Sequence, residues 1–92
     1  MTDDALTQRC NYTTARPTLK LGSKGDAVKQ AQCFLNFSLI GDALAEDGEF
    51  GPVTDAATRR FQKCAEITLD GIIGAQTWSF LTFWANSTGF VC

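Results

Sequence analysis

An eight-residue pattern that occurs twice constrains the fold of this chain more than any other feature. Residues 47–54 and 70–77 both read D-G-x-Φ-G-x-x-T, where Φ is a large apolar residue, and the two copies are 23 positions apart. An Asp-Gly pair is typical of a tight turn, because glycine adopts positive φ angles without steric cost. Pro52 in the first copy suits the first position of a helix. The repeat therefore predicts two equivalent corners, each opening a helix, with Asp47 and Asp70 as acceptors inside the turns.

Hydrophobic periodicity predicts three helices around these corners. The first is expected from Lys24 or Gly25 to Phe37, the second over 52–65 and the third over 75–84. The predicted fold class is all-α, a compact three-helix bundle with two Asp-Gly turns. Residues 1–9 are polar and acidic without periodicity, which predicts a disordered tail before a single domain at 10–92.

Composition excludes several classes of function. The 92 residues contain no histidine, which removes histidine general bases, Ser/His and Cys/His nucleophile pairs and zinc sites with histidine ligands. Eight Lys and Arg against ten Asp and Glu give a net charge of −2, which argues against nucleic acid as a partner. No apolar run approaches the roughly 18–20 residues of a membrane span. The remaining catalytic option is a carboxylate pair among Glu46, Asp47 and Glu49, but three helices leave little room for the cleft it needs, so we expect a solvated rim and no enzyme.

Four cysteines in so short a chain indicate an oxidising compartment. Structural zinc sites bring their ligands in close pairs, and no C-x-x-C pair occurs here, so we expect two disulfides and no metal or other cofactor. The residues alone permit three connectivities. The first residues lack the basic and apolar regions of a signal peptide. The sequence is therefore expected to be the mature part of a secreted protein or one module of a longer chain.

The motifs resemble the small three-helix peptidoglycan-binding domain found on bacterial cell-wall hydrolases. The resemblance extends over about residues 17 to 83 in the family's order and spacing: L-K-L-G-S-K-G at 19–25, both D-G-x-Φ-G copies, and Val28, Gln32, Leu35, Asn36, Ala57, Phe61, Gln62 and Trp78. It implies non-catalytic binding of peptidoglycan or muropeptide fragments, through glycan or stem peptide. It also implies a secreted, cell-wall-associated module that anchors a protein or a catalytic hydrolase domain in cis. The alternative is a secreted protein-interaction domain, of effector, inhibitor or immunity type, on the same scaffold.

The resemblance also implies a disulfide pairing. In secreted relatives a cysteine before the helical core often joins one just after it, which implies Cys10–Cys92 and leaves Cys33–Cys64. The predicted helices favour the same pairing, because Cys33 and Cys64 lie on two helices expected to pack together.

Candidate ligand-binding residues come from the family and from side-chain chemistry. In the family, the loop before the second helix and the start of the third line the groove, which here implies Asp47, Phe50, Gly51, Thr54, Ile73, Thr77 and Trp78. Amide and hydroxyl side chains suited to a polymer rich in amides and hydroxyls add Gln32, Asn36 and Gln62. Trp84 is expected either to stack on a sugar ring or to cover the terminal disulfide. Arg59 and Arg60 are expected either to pair with stem-peptide carboxylates or to form an ordinary solvated helix face.

Overall fold

Three helices and the turns before them form the fold in the computed structural model, which describes residues 10–41 and 43–92. The helices are α1 (Asp26–Ser38), α2 (Pro52–Ala65) and α3 (Ala75–Ala85). The predicted three-helix bundle is confirmed, and the predicted helix bounds agree to within two residues. The tail predicted at residues 1–9 lies outside the described residues. Within the described part of the chain, no helix has the length and apolar character needed to span a bilayer.

The core lies between α1 and the two later helices. On α1, Val28, Ala31 and Leu35 form a stripe at helical spacing that is buried and packs with Phe61 of α2 and Leu81 of α3. The apolar surface of α3 is only partly covered, because Phe80 and Phe83 are 37% and 64% exposed. The third helix therefore presents aromatic rings to solvent that the core does not use.

The segment before α1 holds the two predicted corners in place. Leu19 and Ile73 exchange both backbone hydrogen bonds, at 3.0 and 2.8 Å. In the first corner, the backbone N–H of Phe50 donates to the carbonyl of Ser23 at 2.9 Å. The Φ residues Phe50 and Ile73 are 2% and 0% exposed, so each corner places one side chain in the core. The corners are equivalent in structure as well as in sequence.

The disulfides join different partners from those expected. The structure pairs Cys10 with Cys33 and Cys64 with Cys92, with Cα–Cα distances of 5.8 and 6.0 Å. The predicted pairing of Cys10–Cys92 and Cys33–Cys64 is therefore wrong. Each bridge instead fastens one end of the described chain to a helix.

The physical reason lies in the paths of the two end segments. The N-terminal segment runs along α1, where the buried Gln30 side chain donates to the carbonyl of Cys10 at 2.6 Å and accepts from the N–H of Tyr12 at 2.8 Å. The C-terminal segment returns past the end of α1, because the N–H of Val91 donates to Ser38 and the carbonyl of Cys92 accepts from Ile40. These contacts bring Cys10 beside α1 and carry the C-terminal segment past the end of α1, where Cys92 bonds to Cys64 of α2.

Candidate functional site

A buried glutamine organises the first Asp-Gly turn. The amide nitrogen of Gln32 donates to Asp47 Oδ1, to the carbonyl of Glu49 and to Thr54 Oγ1, at 3.1, 3.1 and 2.9 Å. Its amide oxygen accepts from the backbone N–H of Gly48 at 3.0 Å. One side chain from α1 therefore ties the turn to the first turn of α2.

The second turn repeats this arrangement around Gln62. The amide nitrogen of Gln62 donates to Asp70 Oδ1, to the carbonyl of Ile72 and to Thr77 Oγ1, at 3.1, 3.0 and 3.2 Å. Its oxygen accepts from the N–H groups of Asp70 and Gly71 at 3.1 and 2.9 Å. The structural repeat is therefore a glutamine plus the D-G-x-Φ-G-x-x-T segment, one unit per corner.

These contacts locate four of the expected ligand-binding residues inside the molecule. Gln32, Thr54, Gln62 and Thr77 are each at most 4% exposed, and the polar atoms of both glutamine side chains bond to the turns. Their hydrogen bonds hold the two Asp-Gly turns in place, and they shape the surface of the turns in this way. The ligand contacts expected for them stay a prediction.

Asp47 combines a turn role with an exposed carboxylate. Its Oδ1 accepts from the N–H of Glu49 at 3.0 Å and from Gln32, and Asp70 Oδ1 accepts from the N–H of Ile72 at 2.9 Å, which confirms both residues as turn acceptors. The hydrogen bonds from Glu49 and Gln32 favour the charged form and lower the pKa of Asp47. At neutral pH this carboxylate is an acceptor and not a proton donor.

The lowered pKa of Asp47 predicts how this turn responds to acid. The pKa of the Asp47 carboxyl is lower in the folded than in the unfolded state. Its hydrogen bonds therefore stabilise the fold at pH values above the ordinary pKa of 3.8, and this stabilisation is lost as the pH falls through the folded-state pKa. We expect the Asp47 side-chain carbon signal, followed by NMR from pH 7 to 2, to titrate below 3.8. Asp47→Asn should remove that part of the acid dependence while keeping an oxygen acceptor for Glu49. A midpoint at or above the ordinary value would contradict the proposed hydrogen bonding.

A groove of about 270 Å³ lies directly beside this turn, at the start of α2. We call it the turn groove, and it is lined by Gln32, Leu44, Ala45, Asp47, Glu49, Gly51, Pro52, Val53 and Thr54. Gly51 precedes α2 and supplies no side-chain cap. The first N–H groups of a helix have no intrahelical acceptor, so such a helix start can offer donors to a ligand. The turn groove thus places carboxylate acceptors, a helix start and apolar side chains together.

Asn36 shapes the loop that borders the turn groove. Its side chain donates to the carbonyl of Leu44 and to Glu46 Oε2, at 3.1 and 3.0 Å, and accepts from the N–H of Leu44 at 2.7 Å. The other carboxylate oxygen of Glu46 accepts from the Tyr12 hydroxyl at 2.8 Å. This hydrogen bond favours the neutral phenol and raises the pKa of Tyr12. Glu46 is therefore held by two partners, and Asn36 fixes one wall of the groove.

The remaining expected residues lie in other places. Phe50 and Ile73 are in the core, and Trp78 is 4% exposed with its indole N–H donating to the carbonyl of Pro17 at 2.7 Å. Trp84 lines a separate groove of about 480 Å³ between the end of α2 and α3. We call this the aromatic groove; it is lined by Cys64, Ala65, Glu66, Ser79, Phe80, Phe83 and Trp84. Of the expected set, the structure brings only Gln32, Asp47, Gly51 and Thr54 together in the turn groove.

Several residues of the turn groove were not among those expected from the sequence to bind a ligand. Glu49, Pro52 and Val53 belong to the first copy of the repeat, and only their adjacency to Asp47 and Thr54 could have indicated them. Leu44 and Ala45 carry no signal of their own, because Asn36 determines where their loop lies. Among residues 10–41 and 43–92, no group of three or more acidic, cysteine or histidine side chains is arranged to hold a metal ion.

Comparison with known proteins places this fold in a family. Residues 24–81 match the sequence profile of the peptidoglycan binding domain. A protein of Kitasatospora aureofaciens encoded in the bpoA1 3′ region is 44% identical over 72 residues, which are 78% of this chain and 61% of that protein. The zinc D-Ala-D-Ala carboxypeptidase of Streptomyces albus G is 44% identical over 63 residues, 67% of this chain and 25% of the enzyme. The chain thus spans less than two thirds of either relative.

A solved structure agrees with these matches. The peptidoglycan-binding protein of Clostridioides difficile, crystallised with glutamine hydroxamate, superposes with a TM-score of 0.70 at 35% identity, over 77% of this chain and 44% of that one. The family profile covers both Asp-Gly turns and the glutamine of each corner. The chain belongs to the peptidoglycan binding domain family.

Proposed function

We propose that residues 10–92 act as one non-catalytic module that binds peptidoglycan, through glycan or stem peptide, in the turn groove. The observation that carries this proposal is the composition of the groove: an ionised carboxylate at Asp47, an uncapped helix start after Gly51 and apolar side chains such as Val53. A polymer rich in amides, hydroxyls and carboxylates needs acceptors, donors and apolar contacts of this kind at close range.

The same geometry supports binding without catalysis. A general acid must hold a proton at the working pH, and the hydrogen bonds to Asp47 favour its charged form. The two oxygens of Glu46 accept from Tyr12 and Asn36, which fixes its side chain as part of the loop. The sequence also contains no histidine to act as a base.

The module would act by raising the local concentration of a linked protein or domain at the polymer. A weak binding domain linked to a second domain converts the second encounter with the polymer into an intramolecular event. The carboxypeptidase of Streptomyces albus G, of which this chain covers 25%, is an enzyme that carries such a segment. We therefore propose that this chain is secreted and holds a protein or hydrolase domain at the cell wall.

Gly51, at the start of α2, offers a test of the turn groove. Gly51 has φ −103°, and a Cβ there would meet no heavy atom within 4 Å, so serine fits without strain and can cap α2. We expect Gly51→Ser to keep or slightly raise stability, by a few tenths of a kcal/mol. The serine side chain would also fill part of the turn groove and accept a hydrogen bond from an N–H group at the start of α2. A misfit of about 1–3 kcal/mol weakens binding by roughly fivefold to 150-fold.

Co-sedimentation with purified insoluble cell wall measures this effect. The oxidised protein should sediment with the wall at moderate salt, and Gly51→Ser should remain largely in the supernatant. Gly89→Ser is the control, because a Cβ at Gly89 would also meet no heavy atom within 4 Å and Gly89 lines neither the turn groove, nor the aromatic groove, nor the pocket beside Trp78. Equal sedimentation of both variants would show that the ligand binds outside the turn groove. A wild-type protein that stays in the supernatant would reject wall binding and favour protein interaction through the exposed rings of the aromatic groove.

A further inference from the structure

A third pocket, of about 310 Å³, lies beside Trp78, between α3 and the N-terminal segment. It is lined by Arg16, Ala75, Trp78, Ser79 and Thr82 and shares no residue with the turn groove. Arg16 precedes the segment matched by the family profile, which begins at residue 24. Four of the five lining residues belong to α3, and the fifth is a guanidinium supplied by the N-terminal segment. We call it the Arg16 pocket.

The guanidinium of Arg16 is held in a fixed position. Its central carbon lies 5.0 Å from the centre of the Trp78 ring and 5.5 Å from that of Phe34, two cation–π contacts. Its Nη1 donates to the carbonyls of Thr13 and Ala15, both at 2.9 Å. A cation restrained in this way loses little conformational entropy when it binds an anion.

The charge of Arg16 has no acidic partner among the described residues. The one ion pair in residues 10–41 and 43–92 joins Arg59 to Asp55 at 3.2 Å. Within the same part of the chain, Arg16 donates only through Nη1 and only to neutral carbonyls. The N–H groups of Nε and Nη2 therefore have no acceptor among these residues. Loss of water lowers the pKa of Arg16, and no carboxylate raises it.

The other two arginines considered for carboxylate binding are differently placed. Arg59 pairs with Asp55, and Nη2 of Arg60 donates to the carbonyl of Ile40 at 2.7 Å. Neither lines one of the pockets described above. Among the described residues, Arg16 is therefore the arginine that combines a fixed guanidinium, donors without a partner there and an adjacent cavity.

The rest of the pocket suits the same kind of ligand. Ser79 is exposed and carries a hydroxyl that can donate. Ala75 is the first residue of α3, and the N-terminal end of a helix favours a negative charge. The methyl group of Ala75 and the indole ring of Trp78 are apolar and can contact a methyl group of a ligand. The pocket thus pairs a planar fork of donors with an apolar wall.

We propose that the Arg16 pocket binds a carboxylate of the peptidoglycan stem peptide, with Arg16 as its paired donor and Ser79 as an additional one. A guanidinium binds a carboxylate through two parallel hydrogen bonds, which a neutral amide cannot reproduce. The proposal rests on the proposed function, because it assigns one chemical group of that polymer to a second site. The turn groove and the Arg16 pocket would then contact different parts of the same ligand.

The test compares two ligands and several variants. The probes are a soluble muramyl pentapeptide with free carboxylates and the same compound with its carboxylates converted to primary amides, each titrated by calorimetry. We expect Arg16→Gln to weaken binding of the free-carboxylate probe about tenfold or more, since charge-assisted hydrogen bonds are roughly twice as strong as neutral ones. Binding of the amidated probe should not change between wild type and Arg16→Gln. Arg60→Gln is the control with the same loss of charge and should bind both probes as the wild type does.

A second variant and a second probe separate the possible failures. Ser79→Ala should also weaken only the free-carboxylate probe and tests the pocket should Arg16→Gln fail to fold. N-acetyl-D-alanine should shift the indole N–H signal of Trp78 in the wild type and not in Arg16→Gln, a readout that needs no cell wall. If the wild type sediments with cell wall but amidation and both substitutions have no effect, the Arg16 pocket is rejected and the proposed function stands. If the Trp78 signal responds but the wild type binds neither wall nor muramyl peptide, the proposed function fails while the pocket is shown to take carboxylates.

Discussion

Gln62→Leu is expected to destabilise the fold by about 3–5 kcal/mol, because it leaves several buried polar groups without partners at about 1–3 kcal/mol each. Gln62 is 0% exposed, and leucine has a similar volume, so the core stays filled. The lost hydrogen bonds are those to Asp70 Oδ1, to the carbonyl of Ile72 and to Thr77 Oγ1, and those from the N–H groups of Asp70 and Gly71. For a chain of this size the total free energy of unfolding is roughly 5–14 kcal/mol, so this change removes a large part of it.

Urea denaturation of the oxidised proteins measures the loss. Gln76→Leu is the control, because Gln76 is exposed on α3 and its replacement should change stability by no more than about 0.5 kcal/mol. Gln32→Leu should cost as much as Gln62→Leu, since Gln32 makes the corresponding contacts in the first corner. A loss below about 1 kcal/mol for both would show that water satisfies the turns once the amide is gone.

The importance of the two glutamines could not be read from the repeat. The D-G-x-Φ-G-x-x-T copies are 23 residues apart, whereas Gln32 and Gln62 are 30 apart. The difference arises because the amide lies 15 residues before its turn aspartate in the first corner and 8 residues before it in the second. A loop of different length separates each helix from the next turn, so no single offset contains the whole unit.

The helices themselves were predictable because local signals and tertiary packing agree. The α1 stripe of Val28, Ala31 and Leu35 has helical spacing, and Pro52 begins α2. The exposure of the Phe80 and Phe83 rings could not be predicted, because the sequence of a helix does not indicate whether a neighbouring element covers each apolar residue.

The candidate site was harder to predict for a related reason. Amide and hydroxyl side chains near a proposed groove can face the ligand or the protein, and Gln32, Thr54, Gln62 and Thr77 are turned inward to complete the turns. Residue type alone does not distinguish these orientations. Arg16 was missed because its environment comes from Phe34 and Trp78, which lie 18 and 62 positions further along the chain.

The disulfide pairing leads to the second large expected effect. Replacing Cys64 and Cys92 together by alanine should cost about 3–4 kcal/mol, because the bridge closes a 28-residue separation in the unfolded chain. Replacing Cys10 and Cys33 should cost a similar amount, about 3–4 kcal/mol, for a separation of 23 residues. Either loss is comparable to that expected for Gln62→Leu, and the proteins with both bridges removed should be largely unfolded near neutral pH.

A tryptic digest without reduction distinguishes the pairing in the structure from the other two connectivities. Cleavage after Arg and Lys leaves Cys10 in the peptide 10–20, Cys33 in 30–59, and both Cys64 and Cys92 in 64–92. The pairing in the structure therefore gives two species by mass spectrometry: peptide 10–20 joined to 30–59, and peptide 64–92 closed on itself. Each of the other two connectivities would join all three peptides into one species. Recovery of that single species would contradict the observed paths of the N- and C-terminal segments, since Gln30 holds Cys10 on α1 and Ser38 holds Val91 past its end.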